Sequence, residues 1–437
     1  MDDFVAFALG IEFSEALFVF IFIFSLSIFL LRKSFYNIAD PFVYFIVFNS
    51  FAITTTFFTS IHTNNFKSIL DLVFFNLCFF SLSIIYPAKP NKLKLSRALY
   101  SFGGAKTDVF MGVLAGTTIF STLILWVFVG VPILADDITN AKVTMYQNGF
   151  GFLRYLQMIA PPILSLFGML ELTRRKLNNN RKILMMIYII ASAFISISSG
   201  SKSSLIYLVF NIGLIIYIGD TKYDILMYKK FLKIVFVLSI IVLLVILSST
   251  NEGAIQGAAL RFLGSGDIYF FWYGFDLSST LSSFKPLEFI IYLVSPLLGM
   301  LGVVGYEYPI GAIVMHEATN YPLSSFGPNA QLPVLLSMFF ASYSYIVSGL
   351  FGIIFYLLRT RSYKLINKFG VFGFCFFIIF HFSALNVFTD LNYLVSLTVS
   401  SFLLIPIFLF LSIVLFYSSA SLKSKDIYIT TSSLDSH

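Results

Sequence analysis

Apolar runs recur along this chain from Ile11 to Phe416, each close to the length a helix needs to cross a lipid bilayer. A hydrocarbon core of about 30 Å takes about 20 residues of helix. No water is present there to pair with a backbone amide, so helices, which satisfy their amides within their own segment, are the economical structure. Hydrophobic residues make up 58% of the 437 and charged ones 11%, with a mean hydropathy of +0.90. A soluble chain carries roughly a quarter charged residues. The expected fold class is therefore an all-α polytopic membrane protein, one transmembrane domain over residues 1–437 with no separate soluble module.

The expected spans are 11–31, 41–61, 69–86, 108–131, 153–172, 183–199, 203–219, 231–249, 333–358, 370–387 and 393–416. That is about eleven, within a range of about ten to fourteen. The connectors holding Arg32 and Lys33, residues 89–97, 174–182, 222–233 and 359–368, and the tail with Lys423 and Lys425, are basic and fall on one side of the alternation. The positive-inside rule makes that side cytoplasmic. Opposite them stand Lys67, Lys142, Arg154, Lys202, Arg261 and Lys285.

This parity requires residues 251–331 to begin and end outside, as a long external loop region. Within it 289–304 is apolar but short and interrupted by Pro296, Gly299 and Gly302. A re-entrant or surface-lying segment is expected there; a second span near 262–276 is the alternative.

The acidic start Met1-Asp2-Asp3-Phe4 lacks the basic region of a cleaved leader, so the first run is expected to be retained. Cys78 and Cys375 lie inside apolar runs and read as buried thiols, not a disulfide framework. The net charge of +7 sits in short connectors, the distribution of a topology signal, so no nucleic-acid partner is expected. No P-loop, dinucleotide fingerprint, nucleophile elbow or zinc-binding spacing occurs, so neither cofactor nor metal is expected.

Several external groups have chemical potential. Lys202, in Ser199-Gly200-Ser201-Lys202-Ser203-Ser204, precedes a span whose first amides and dipole favour an anion; an ordinary Ser/Gly hairpin with a snorkelling lysine reads equally from the residues. The planar fork of Arg261 suits a phosphate or serves as an interfacial anchor. Arg154 adds a third cation or only positions its helix. The aromatics from Tyr269 to Phe275, with Trp272 and Tyr273 among them, and Tyr321 further on, fit a membrane interface or a carbohydrate. His316, followed by Glu317, is a candidate base near neutral pH or a plain polar residue.

Two of these stretches carry a resemblance. The turn at 199–204 resembles the Gly-Ser-Arg-Ser turn of the Wzy-type O-antigen polymerases, with Lys202 in place of arginine. Residues 316–352 resemble that family's external loop leading into a span with a glycine pair, here Gly349 and Gly352. O-antigen ligases are relatives of the same family.

The resemblance implies a glycosyltransferase that joins undecaprenyl-pyrophosphate-linked oligosaccharide repeat units at the outer, periplasmic face of a bacterial cytoplasmic membrane. A chain-length regulator protein is a further partner for such an enzyme. It implies Lys202, Arg261 and Arg154 on the pyrophosphate, His316 with Glu317 on the acceptor hydroxyl, and Trp272, Tyr273 and Tyr321 on sugar. The alternatives are a ligase, which uses the same donor with another acceptor, and a flippase or other transporter.

Overall fold

The computed structural model describes residues 2–132, 151–173, 177–198, 206–219, 263–300, 308–323 and 327–432. They form helices α1 (Asp2–Leu9), α2 (Phe13–Leu31), α3 (Pro41–His62), α4 (Lys67–Ile85), α5 (Lys92–Ser101), α6 (Ala105–Val129), α7 (Gly151–Leu172), α8 (Asn179–Ser198) and α9 (Ile206–Ile218). There follow α10 (Asp267–Gly274), α11 (Pro286–Met300), α12 (Ile310–Thr319), α13 (Leu332–Phe340), α14 (Ser344–Arg361), α15 (Tyr363–Ser383) and α16 (Leu391–Ser432). No strand occurs among the described residues.

Nine helical segments among them are long and apolar enough to cross a membrane, α13 and α14 counting together as one. They match nine of the expected spans. The tenth, expected at 203–219, is the 13-residue α9, and the one expected at 231–249 lies outside the described residues. The chain is an all-α polytopic membrane protein in architecture, and its contacts divide it into two compact units.

The first unit holds residues 1–91, 220–362 and 380–396. Its spine is α3, whose sequence looks too polar for a core: Ser50, Thr54, Thr56, Thr59 and Ser60 are all buried. Each hydroxyl donates to the carbonyl four residues back at 2.7–2.9 Å, and Ser60 also pairs with Ser68 of α4 at 2.6 Å. Asp40 caps the helix, accepting from the Phe42 amide at 2.8 Å.

At this basic end two connectors close around Arg359, which is fully buried at the end of α14. Its Nη2 meets Asp40 Oδ2 at 2.5 Å and donates to the Ser34 carbonyl at 3.2 Å; its Nε donates to the Ala88 carbonyl at 2.6 Å. Arg359 and Asp40 both have zero side-chain exposure, so each charge depends on the other.

α14 lies along α4, from Tyr345 donating to Asp71 at 2.9 Å to Arg359 at the basic end. A Cβ at Gly352 would collide with the Phe79 carbonyl, whereas one at Gly349 would clear Cys78 O by 3.9 Å. The expected glycine pair is thus half packing device and half free position.

The structure corrects several expectations. The span expected at 333–358 is broken by a 3-10 turn at Ala341–Tyr343, with Ala341 at φ 44°. The carbonyls of Met338 and Phe339, which helix would otherwise occupy, accept from the amides of Ser283 and Lys285 at 2.9 and 2.8 Å. The basic connectors at 89–97 and 359–368 are largely helical, and α15 kinks at Gly370 (φ 56°).

Residues 388–392, between α15 and α16, pack beside the basic-end half of α3 and α4. Phe388 meets Phe45, Phe79 and Phe80, and His381 stacks on Tyr36.

The second unit holds residues 92–219, 363–379 and 397–437. α7 is its centre, packed against α6, α8 and α9. Arg181 bridges Asp108 at 3.0 Å and Glu171 at 2.7 Å, tying the start of α6 to the α7–α8 turn. Asn211 of α9 donates to Ser165 Oγ of α7 at 2.7 Å.

Two stability predictions follow from the first unit, both read by thermal unfolding in detergent. Gly352→Ala lowers stability by about 1–3 kcal/mol through overpacking, while Gly349→Ala is near neutral. Asp40→Asn costs about 3–5 kcal/mol, because it strands a buried guanidinium. A combined Asp40→Leu/Arg359→Met chain loses less than Asp40→Asn alone.

Candidate functional site

The aromatic stretch does not face outward. Leu263 hands its carbonyl to Thr55 Oγ1 at 2.7 Å, and a Cβ on Gly266 would lie 2.9 Å from Ala52 Cα and 2.7 Å from Thr55 Cβ. Two residues are therefore seated half-way along α3, where glycine permits the close approach. From there α10 runs beside α3 toward its far end, with Gly274 next to Thr59.

An eight-residue helix that is aromatic on every face is buried on every face. Trp272 is fully buried and Tyr273 nearly so, beneath α1, whose Phe4 and Phe7 pack on Phe270. In this arrangement neither presents a ring to a sugar. They form core, a role the aromatic composition of the stretch left open.

Gln331 closes this interval from its other end, accepting from Tyr269 at 2.8 Å and donating to the Ser265 carbonyl at 2.8 Å. The described ends of the expected external loop, 263–266 and 331, thus meet half-way along α3 and not beyond its tip. α11, at 15 residues, is shorter than a crossing; Phe289 and Tyr292 pack inward while Leu287 and Ile290 are exposed.

His316 is placed by α12. Ile310, Gly311, Ala312, Val314 and Met315 bury one face against α10, which leaves His316 partly exposed and Glu317 exposed. Asn320 ends the helix in the left-handed region (φ 55°), donating its amide to the His316 carbonyl at 2.7 Å.

That turn brings the Tyr321 carbonyl to 2.7 Å from His316 Nδ1. A carbonyl oxygen can only accept, so Nδ1 carries the proton and the lone pair of the neutral ring sits on Nε2. The returning chain is pinned where a Cβ at Gly311 would collide with the Pro328 carbonyl, and one at Gly327 would lie 2.5 Å from the Ala312 amide. Tyr321 is 45% exposed, so its ring is available beside the histidine.

Of the expected site, His316, Glu317 and Tyr321 thus come together on one helix end. Lys202 and Arg261 lie outside the described residues, as does the side chain of Arg154 in the first turn of α7. Within the second unit the Arg181 bridge holds one end of the α7–α8 hairpin. The first turn of α7 and the helix ends at Ser198 and Ile206 share the opposite end.

The sequence reading passed over Asp390 and Asn392. Asp390 lies in a helix break at φ −160°, beside Phe388, and Asn392 in the first turn of α16; both are near Tyr292, whose hydroxyl bonds the Asn392 side chain. An ionisable residue within an apolar run is a functional signal in itself, and Thr389-Asp390-Leu391-Asn392 carried it. No group of His, Cys, Asp or Glu suited to a metal occurs among the described residues. No family model, curated protein or solved structure matches this chain.

Core and sugar platform make opposite predictions for Trp272. Its indole Nε1 has no hydrogen-bond partner among the described residues. Trp272→Phe should be mild and leave function intact, while Trp272→Ala should cost about 3–5 kcal/mol in thermal unfolding. Loss of function in a stably folded Trp272→Phe chain would restore the platform role.

Proposed function

We propose that this protein is a polymerase that joins undecaprenyl-pyrophosphate-linked oligosaccharide repeat units at the outer face of the cytoplasmic membrane. The observation that supports the reading best is the histidine geometry: Nδ1 of His316 is held by the Tyr321 carbonyl, so Nε2 is free to take a proton. In the proposed step a hydroxyl of the acceptor unit attacks the anomeric carbon of the donor. The new C–O bond forms as the bond to the pyrophosphate oxygen breaks. The hydroxyl proton passes to His316 Nε2, and undecaprenyl pyrophosphate leaves with the bonding pair.

A cation is needed for that departing charge, and the reading takes Arg261 for it. Lys202 and Arg154 are the other cations of the sequence expectation. Glu317, beside His316 and exposed, is available to the resulting imidazolium or to the sugar.

The test is the surface-polysaccharide ladder of a strain deleted for this gene. Core carrying a single repeat unit, with the ladder restored by the wild-type chain, is the expected result. His316→Ala should fail to restore it. His316→Asn should fail too, although an amide can still bond the Tyr321 carbonyl, because it holds no basic nitrogen. Arg261→Ala should shorten or abolish the ladder, and Lys202→Ala and Arg154→Ala test the remaining cations. Normal chain length in both His316→Ala and Arg261→Ala would sink the reading. Core without any repeat unit in the deletion would point to a ligase or a flippase.

A further inference from the structure

α2 is the least covered of the nine crossing helices: only 11% of its apolar window is buried, and Phe18 is 73% exposed. It touches α3 where Ala16 is buried and where Phe20 stacks on Phe51 at 4.5 Å. An open groove of about 420 Å³ lies between them, walled by Phe18 and Val19 on one side and by Phe57, Phe58 and Ile61 on the other. Ser14 and Glu15 form its rim.

The Glu15 side chain has no hydrogen bond or ion pair among the described residues. It is exposed in the first turn of α2, beside the apolar wall that Phe18 and Val19 form. The groove thus offers apolar walls beside a carboxylate that is unpaired among the described residues, at the end of the helices opposite the basic connectors. An amphiphile with an alkyl chain and a cationic head matches both features; one with a phosphate monoester or pyrophosphate head is repelled by the same carboxylate.

We propose that this groove holds an acyl chain of an aminophospholipid, whose ammonium group pairs with Glu15. The ammonium donates charge-assisted hydrogen bonds to the carboxylate while the acyl chain fills the space between the phenylalanines. The pyrophosphate-linked donor of the proposed reaction is not the occupant, so this site stands or falls separately from that reaction.

The experiment places an indole in the groove with Ile61→Trp and reconstitutes the full chain in nanodiscs. Phosphatidylethanolamine or phosphatidylglycerol with brominated acyl chains is then titrated into an unbrominated bilayer, and quenching of the added indole is read after subtracting the parent chain. The ethanolamine lipid should reach half-maximal quenching at about one-third the mole fraction of the glycerol lipid, the size of preference an exposed ion pair supports. Glu15→Gln should equalise the two lipids, and Glu12→Gln, outside the groove, should leave the preference intact. Equal quenching by both lipids with Glu15 present, a preference unchanged by Glu15→Gln, or a preference lost equally in Glu12→Gln would each overturn the proposal.

Discussion

A bilayer supplies no hydrogen bonds, and several breaks from helix in the first unit occur where another part of the chain supplies them. The end of α13 gives its carbonyls to Ser283 and Lys285. Leu263, at the start of the aromatic stretch, gives its carbonyl to a threonine of α3. The connector carbonyls of Ser34 and Ala88 are taken by Arg359. At these breaks side chains or a second backbone segment meet the freed groups. α3 makes this possible: its hydroxyls are satisfied within the helix, and its small residues admit Gly266.

The two ends of the first unit differ in kind. At the basic end a guanidinium and a carboxylate are locked together without solvent access, a rigid closure that suits anchoring and offers no open group to a substrate. At the other end His316, Glu317 and Tyr321 sit on a helix terminus with polar atoms exposed. This is the end to which the proposed reaction is assigned, on the orientation that the Tyr321 carbonyl gives the His316 ring.

Crossing helices were legible because a run of apolar residues long enough to cross has one stable form in lipid, and nine described helices follow the runs closely. The breaks were not legible. Nothing local in Phe339-Phe340-Ala341-Ser342 says that Ser283 and Lys285 will bond its carbonyls, since that pairing joins residues more than fifty apart. The aromatic stretch was misjudged for a related reason: interface rings and core rings have the same composition, and only the glycines at 264 and 266 hinted at a close approach to another helix. Asp390 was passed over because it falls between two apolar runs, whereas Phe388 packs that turn into the protein interior. His316 and Glu317 were legible as candidates, but the tautomer depends on a carbonyl five residues away and needed the fold.

The central claim is that the end of the first unit bearing His316 faces outward and the Arg359 end faces the cytoplasm. In a chain lacking both native cysteines, through Cys78→Ala and Cys375→Ala, single cysteines at Glu317→Cys and Ile38→Cys report the two ends directly. A membrane-impermeant maleimide should label the first in intact cells with the outer membrane opened, and the second only once the cytoplasmic membrane is broken. Labelling of Ile38→Cys in intact cells with protection of Glu317→Cys would invert the protein in its membrane and contradict the account.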